Sequence, residues 1–221
     1  MPSGAANVSE LFVSFQGEGV HAGRRQLFVR FAGCPLRCRW CDTPDSLLPV
    51  AECRVLGADG ERRLPNPFSA EALEAQVGAL RASSPPLHAM AVTGGEPLAQ
   101  VEFLVAWLQD RRDDLPVLLE TAGILPSRLE RVLPYVAIVS LDFKCPSNTG
   151  ERARWDEHEA CLRLAVAAGP GAPLFLTPLT APEGTALQIG ASTLERLHAL
   201  ASRHHADVRV LPQLHKVLGI A

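Results

Sequence analysis

Three cysteines, Cys34, Cys38 and Cys41, fall within eight residues at C-x3-C-x2-C spacing, in the stretch Gly33-Cys34-Pro35-Leu36-Arg37-Cys38-Arg39-Trp40-Cys41-Asp42-Thr43. Three thiolates on one tight loop can converge on a single inorganic centre. An iron–sulfide cubane has four corners, so three protein ligands leave one iron open to another molecule. The same spacing admits a disulfide, structural zinc or chance burial. A disulfide is disfavoured, because closely spaced cysteines in a chain without secretory features read as metal ligands rather than staples. Structural zinc would need a fourth ligand, from His21 or a remote cysteine. Three small buried residues at this spacing by chance is the last alternative. The cluster with an open iron is favoured. Cys53, Cys145 and Cys161 are too scattered for a second cluster and read as small buried or half-exposed apolar residues.

Further polar groups sit where chemistry could use them. Thr93-Gly94-Gly95-Glu96-Pro97 lies between a strand pattern and a helix pattern. Its glycines would let the backbone approach a ligand, and its carboxylate could receive an ammonium group. A glycine turn ending in proline at a helix start is also a common structural device. Gln16 and Glu18 lie in the glycine-flanked loop Ser14-Phe15-Gln16-Gly17-Glu18-Gly19, before the strand that delivers the cysteines. An amide and a carboxylate suit the edge of a fused heterocycle, though an exposed polar turn has the same composition. Arg30 is a cation among Phe28, Val29 and Phe31, which costs free energy unless it is paired or faces a ligand. The Thr43 hydroxyl is a hard oxygen suited to magnesium, and equally a turn-forming group.

The elements that must hold these groups alternate. Leu27–Ala32 is short, apolar and closed by Gly33, so it reads as a buried strand delivering the cysteine loop. Further strands are expected over His88–Thr93, Val117–Thr121, Val136–Asp142, Leu174–Thr177 and Asp207–Leu211. Helices are expected over Ser69–Ala82, Leu98–Arg112 and Trp155–Ala168, the last stopped by Gly169. Ser127-x-x-Glu130 and Ser192-x-x-Glu195 read as capping boxes opening two more. Alternation six times over implies parallel strands. A closed eight-stranded barrel takes about 250 residues, so 221 suggest an open, partial barrel of the TIM type with functional residues at the C-terminal strand ends. A doubly wound sheet is the alternative. One domain over 1–221 is expected, with a loop insertion around 45–67 that could carry a hairpin or a turn of helix.

Composition excludes several classes. Apolar residues make up 47 % and charged ones 20 %, and the formal charge of −3 gives no electrostatic case for nucleic acid or membrane surfaces. No apolar run reaches the roughly 18 residues of a membrane span. No export signal is visible, so a reducing cytoplasm is expected, where thiolates stay available for iron.

The cysteine spacing, with Trp40 before the last cysteine, resembles the cluster signature of the radical S-adenosylmethionine (SAM) superfamily. The upstream Q-G-E-G, the C-D-T that closes the loop, the T-G-G-E-P segment and the C-terminal Pro212-Gln213-Leu214-His215-Lys216 together resemble the 7-carboxy-7-deazaguanine synthase (QueE) family, nearly end to end. The resemblance implies an α/β radical SAM core, a [4Fe–4S] cluster on Cys34, Cys38 and Cys41, SAM bound through the fourth iron, and Mg2+ at Thr43. It implies SAM contacts from Trp40, Asp42, Gly94, Gly95, Glu96, Ser140, Asp142, Lys144, Thr177 and Pro178. Asp142 stands where serine is frequent, and Thr177-Pro178 where glutamine-proline is usual. Glu120-Thr121-Ala122-Gly123 resembles the family's E-T-x-G. Substrate contacts are implied for Phe15, Gln16, Gly17, Glu18, Arg30, Thr93, His215 and the terminal carboxylate of Ala221. The remaining histidines, including His204 and His205, read as surface residues. The implied reaction turns 6-carboxy-5,6,7,8-tetrahydropterin into 7-carboxy-7-deazaguanine and ammonia, a step toward queuosine-type deazapurines, with no protein side chain as the catalyst. A reducing partner such as flavodoxin or ferredoxin and a homodimer are implied as well. The alternatives are a glycyl-radical-activating enzyme, which shares the three-cysteine loop, and a non-catalytic metal-binding module.

Overall fold

The computed structural model describes residues 4–39, 41–112, 114–169, 174–176, 191–203 and 208–210. Trp40, Thr177, Pro178, His204, His205, His215 and Ala221 lie outside them. In chain order the elements are β1 (Ala5–Ala6), β2 (Val8–Phe15), β3 (Arg25–Phe31), β4 (Glu52–Gly57), β5 (Gly60–Pro65), β6 (Phe68–Ser69), α1 (Ala70–Ala82), β7 (Ala89–Gly94), α2 (Val101–Asp110), β8 (Val117–Thr121), α3 (Pro126–Val132), β9 (Ile138–Leu141), α4 (Pro146–Thr149), α5 (Trp155–Ala168), β10 (Leu174–Leu176), α6 (Ala191–Ala201) and β11 (Val208–Val210).

One open sheet in the order β5-β4-β2-β3-β7-β8-β9 dominates. The four strands β3, β7, β8 and β9 run parallel, each step returning through a helix or a longer connection. Their two faces differ. Leu27, Val29, Phe31, Met90, Val92, Val117 and Leu119 point outward into the main core, against the helices. That core is dense around Phe31, Phe103 and Trp107, and the Trp107 indole donates to Glu74 on α1 at 2.8 Å. The alternate residues Phe28, Ala89, Ala91, Leu118 and Ile138 share the other face with Phe12. Phe12 and Phe28 stack at 4.9 Å, a pairing worth about 0.5–1.5 kcal/mol beyond area burial.

The six strands expected from sequence are β3, β7, β8, β9, β10 and β11, all in parallel pairs, and the structure adds strands that the sequence did not reveal. β2 lies antiparallel to β3, so the Gln16–Glu18 loop joins two strands rather than preceding the first. β2 shows no clean alternation because residues on both its faces are buried, Leu11 outward and Phe12 inward. The 45–67 region holds a short 3-10 turn (Pro44–Ser46) and the hairpin β4–β5, and β4 adds a parallel strand beside β2. Among the described residues, β10 and β11 pair in parallel with each other.

Helix starts also differ in detail. Ser69 caps α1, accepting from the Ala72 N–H at 3.2 Å. The Leu98–Arg112 helix is split into a 3-10 turn (Pro97–Gln100) followed by α2. α3 opens with Pro126 at its first position and no side-chain cap, which places Ser127 inside the helix; α6 begins at Ala191, ahead of Ser192. The capping-box reading of both serines is therefore wrong. Cys53, Cys145 and Cys161 are buried, as expected, and none of the six cysteines forms a disulfide.

Candidate active site

Strand register lines up one polar residue per strand on the inner face. Glu10 on β2 sits opposite Arg30 on β3, and Arg30 opposite Thr93 on β7. Thr93 is one step beyond the Val92–Leu119 pair, beside Glu120 on β8, and Glu120 pairs with Ser140 on β9. The apolar layer of Phe12, Phe28, Ala91, Leu118 and Ile138 lies directly beneath this row. Two of the floor residues of this face, Ala89 and Ala91, are small. Arg30 donates from Nε to Glu10 at 2.8 Å and lies over the Phe12 ring; this bond leaves its two Nη groups outside the pair. Glu10 also accepts from Arg54 at 2.8 Å, tying the β4–β5 hairpin to the row.

Above the row, at the C-terminal strand ends, three loops distant in sequence are joined by main-chain hydrogen bonds. Gly95 N donates to Phe31 O and Glu96 N to Gly33 O, both at 3.0 Å. From the other side Gly33 N donates to Ser46 O at 2.8 Å, and Cys34 N to Leu47 O at 3.1 Å. A Cβ on Gly94 would lie 2.0 Å from Phe31 O, and one on Gly95 would lie 2.5 Å from Ser46 O and 2.7 Å from Gly33 O. The glycines thus admit the chain's own backbone, so the close approach expected for a ligand is made at least partly by the cysteine loop. Glu96 is fully buried. Its carboxylate accepts from Leu98 N (2.9 Å), Ala122 N (2.8 Å) and the Thr121 hydroxyl (2.9 and 3.0 Å), clasping the turn to the end of β8. Burial pushes its carboxyl above the ordinary range, and these donors pull against that.

The residues of the cysteine loop fit an iron–sulfur group. Leu36 is anchored beside Ala122 and Ile124, with Cys34 and Cys38 against that apolar cluster. Cys34 Sγ accepts the Leu36 N–H at 3.4 Å, the kind of bond that favours sulfur carrying negative charge. Burial raises the Cys34 thiol and pushes Cys38 up to about 11, while the nearby Lys144 ammonium draws both down. Among the described residues no three Cys, His, Asp or Glu side chains converge tightly enough for a single metal ion. A cubane takes one thiolate per iron and needs no such convergence, and soft sulfur donors suit it. The loop is held on its far side by Arg37 N to Glu151 (2.5 Å) and Arg39 N to Thr149 O (2.8 Å). Thr43 makes no side-chain cap to the 3-10 turn it precedes; its carbonyl accepts from Ser46.

Lys144 ties the site together electrically. Burial works against its charge, but Asp142, to which it donates, overrides this and holds the ammonium above its ordinary value, with Cys38 and Glu18 contributing. Asp142 N in turn donates to Thr121 O at 2.9 Å. The Gln16 amide is buried and engaged: it donates to Gln26 (3.0 Å) and Glu120 (2.8 Å) and accepts from Glu18 N (3.0 Å). It therefore fastens its own loop to the polar row. Phe15 is exposed, and Arg25 lies over its ring.

The structure brings together Cys34, Cys38, Gly94, Gly95, Glu96, Asp142 and Lys144 at the strand ends, with Arg30, Thr93, Glu120, Ser140 and Gln16 on the inner face. Sequence reasoning missed Glu10, the partner of Arg30, because β2 was not recognised. It also misjudged the histidines. His158 on α5 is buried between the β8 and β9 loops, and His21 stacks on His88 at 4.6 Å. The available signal for His158 was its place in the first turn of α5 at helical spacing from Cys161 and Leu162, on the apolar face of the helix.

Comparisons with known proteins agree with this geometry. The family model described as the radical SAM superfamily matches residues 28–179. A protein of Geobacter sulfurreducens named 7-carboxy-7-deazaguanine synthase is 35 % identical, the match covering 99 % of each chain. Proteins of the same name from Methanopyrus kandleri and Archaeoglobus fulgidus are 32 % and 34 % identical, over 98 % and 97 % of this chain and 95 % and 99 % of theirs. The crystal structure of QueE from Escherichia coli superposes with a TM-score of 0.54 at 19 % identity, covering 94 % of this chain and 83 % of that one.

Proposed function

Because the chain belongs to the radical SAM superfamily and, within it, to the 7-carboxy-7-deazaguanine synthase family, we propose that it converts 6-carboxy-5,6,7,8-tetrahydropterin into 7-carboxy-7-deazaguanine with release of ammonia. The observation that carries the reading is the polar row of the inner face lying directly beneath the stitched cysteine and Gly-Gly-Glu-Pro loops. A cofactor site and a small-molecule site then share one basin. When bound, the cluster and SAM supply a one-electron cleavage that yields a radical able to take hydrogen from the substrate.

The chain's own residues hold and shield. Cys34, Cys38 and Cys41 would ligate the cluster. The Gly94–Glu96 backbone, Ser140, Asp142 and Lys144 would receive the polar groups of SAM, Lys144 offering a cation near the cysteines. The two Nη groups of Arg30 suit a bidentate grip on the substrate carboxylate, oriented by Glu10 and Phe12. Thr93, Glu18 and the loop fastened by Gln16 would meet the heterocycle, and the alanines of the floor leave room for it. The layer of Phe12, Phe28 and Leu118 keeps water from below. The Thr43 hydroxyl, unused as a cap, suits Mg2+ beside the carboxylate.

The enzyme acts on a small molecule and needs a reductant; following its family, flavodoxin or ferredoxin is the proposed donor, and a cytoplasmic homodimer of single-domain subunits the proposed assembly. No helix among the described residues is long and apolar enough to cross a membrane. Anaerobically reconstituted protein incubated with SAM, dithionite, Mg2+ and the carboxypterin is expected to form the deazaguanine acid, detected by mass. No product from a fully loaded sample overturns the assignment.

A further inference from the structure

The imidazole of His158 joins the two segments that follow β8 and β9. Its Nε2 lies 3.2 Å from Lys144 N, which can only donate, so Nε2 accepts. The other ring nitrogen faces Gly123, whose carbonyl favours a proton there. Gly123 has φ of 63°, and a Cβ there would stand 3.3 Å from Nδ1. Phe143 stacks on one side of the ring at 5.0 Å, and Trp155 tilts against it at 6.2 Å. Only a neutral ring with its proton on Nδ1 leaves Nε2 able to accept from Lys144 N; an imidazolium would set Nε2–H against the Lys144 N–H.

We infer that His158 is a positioning residue for cofactor binding: its Nδ1–H tautomer fixes the Lys144 backbone against Gly123 and so sets where the Lys144 ammonium stands beside the cysteine loop. The inference rests on the functional reading above, in which Lys144 faces SAM. The charged groups around the ring are few. Asp142 and Glu157 favour protonation and Lys144 opposes it, while burial outweighs all three and keeps the ring neutral. The Asp142–Cys145 segment is otherwise held by Asp142 N to Thr121 O, by Cys145 N to Phe143 O, and by the Thr149 N–H and hydroxyl, which both donate to Cys145 O at 3.0 Å. Without His158 the Lys144 amide would lose its partner at the position where placement of the ammonium matters most.

Two measurements test this. Long-range 15N–1H spectra of the imidazoles in the metal-free protein at pH 7.5 should show one histidine, absent from H158F, with its proton on Nδ1; a proton on Nε2 or a charged ring overturns the proposal. Calorimetric SAM titration of the reconstituted protein should show about tenfold weaker binding in H158F, the scale of one lost and one orphaned hydrogen bond. H158Q, whose amide oxygen can accept from Lys144 N, should recover most of that loss, and both variants should retain the parent's circular dichroism. If H158F binds SAM as tightly as the parent, the positioning role fails and the functional reading stands. If the loaded parent binds no SAM, the functional reading fails and this inference with it.

Discussion

Replacing Gly95 by alanine tests whether the cysteine loop and the Gly-Gly-Glu-Pro loop are one unit of main chain. The new Cβ would meet Ser46 O at 2.5 Å and Gly33 O at 2.7 Å, both backbone atoms that no rotamer change can move. Reaching even a tight contact of about 3.2 Å requires separations of roughly 0.7 and 0.5 Å. That stretches the 3.0 Å bonds Gly95 N–Phe31 O and Glu96 N–Gly33 O toward the limit of hydrogen bonding. Each bond contributes about 0.5–1.5 kcal/mol, and with residual strain the variant should lose about 2–4 kcal/mol. For a chain of this size that corresponds to a Tm lower by roughly 4–16 °C. Gly78→Ala is the control of opposite sign. Gly78 lies within α1 with nothing within 4 Å of an added Cβ, so alanine should stabilise by about 0.5–1 kcal/mol. Both are measured by urea unfolding of the metal-free protein, followed by circular dichroism. A Gly95→Ala protein within about 0.5 kcal/mol of the parent would show that the loops are not stitched as described.

Leu36→Ala removes the anchor of the cysteine loop and should cost about 2–4 kcal/mol; it should also lower the iron retained after reconstitution, read by colorimetric iron assay. Glu10→Gln weakens the partner that orients Arg30, so KM for the carboxylated substrate should rise several-fold with kcat little changed; a fall in kcat alone would place Glu10 elsewhere in the mechanism. Stability should decline as pH drops below about 6.5. Burial holds His158, and likewise His21 and His88, below that ordinary value in the folded chain, so the unfolded chain binds more protons there and gains on acidification. Urea midpoints between pH 5 and 8 check the slope, which should flatten in H158F.

The parallel half of the sheet was legible because β3, β7 and β8 are apolar on both faces and closed by turn residues, as in the run Leu27–Ala32. The cysteine loop and Gly-Gly-Glu-Pro turn were legible because their residue types are chemically distinctive. β2 was not, since Glu10 interrupts an apolar run whose neighbours face both ways, and only its pairing with Arg30 and Arg54 makes a half-buried glutamate tolerable there. Arg30 illustrates the same limit. Sequence offered an ion pair or a ligand contact as alternatives, and the structure places the ion pair at Nε while leaving Nη outside it. Ser127 failed as a cap because local preference put proline at the first helical position instead. His158 was hidden because its partners, Gly123 and Lys144, lie on other elements and engage it through backbone atoms that no side-chain pattern reveals.

The double fastening of the residues around Cys34, to Gly95 and Glu96 on one flank and to Ser46 and Leu47 on the other, bears on how the protein survives air. A socket shaped by peptide groups keeps its form when its inorganic contents dissolve. Loss of the cluster to oxygen should then leave the chain folded, and iron and sulfide supplied with a thiol reductant should refill the socket with no need to build the polypeptide again.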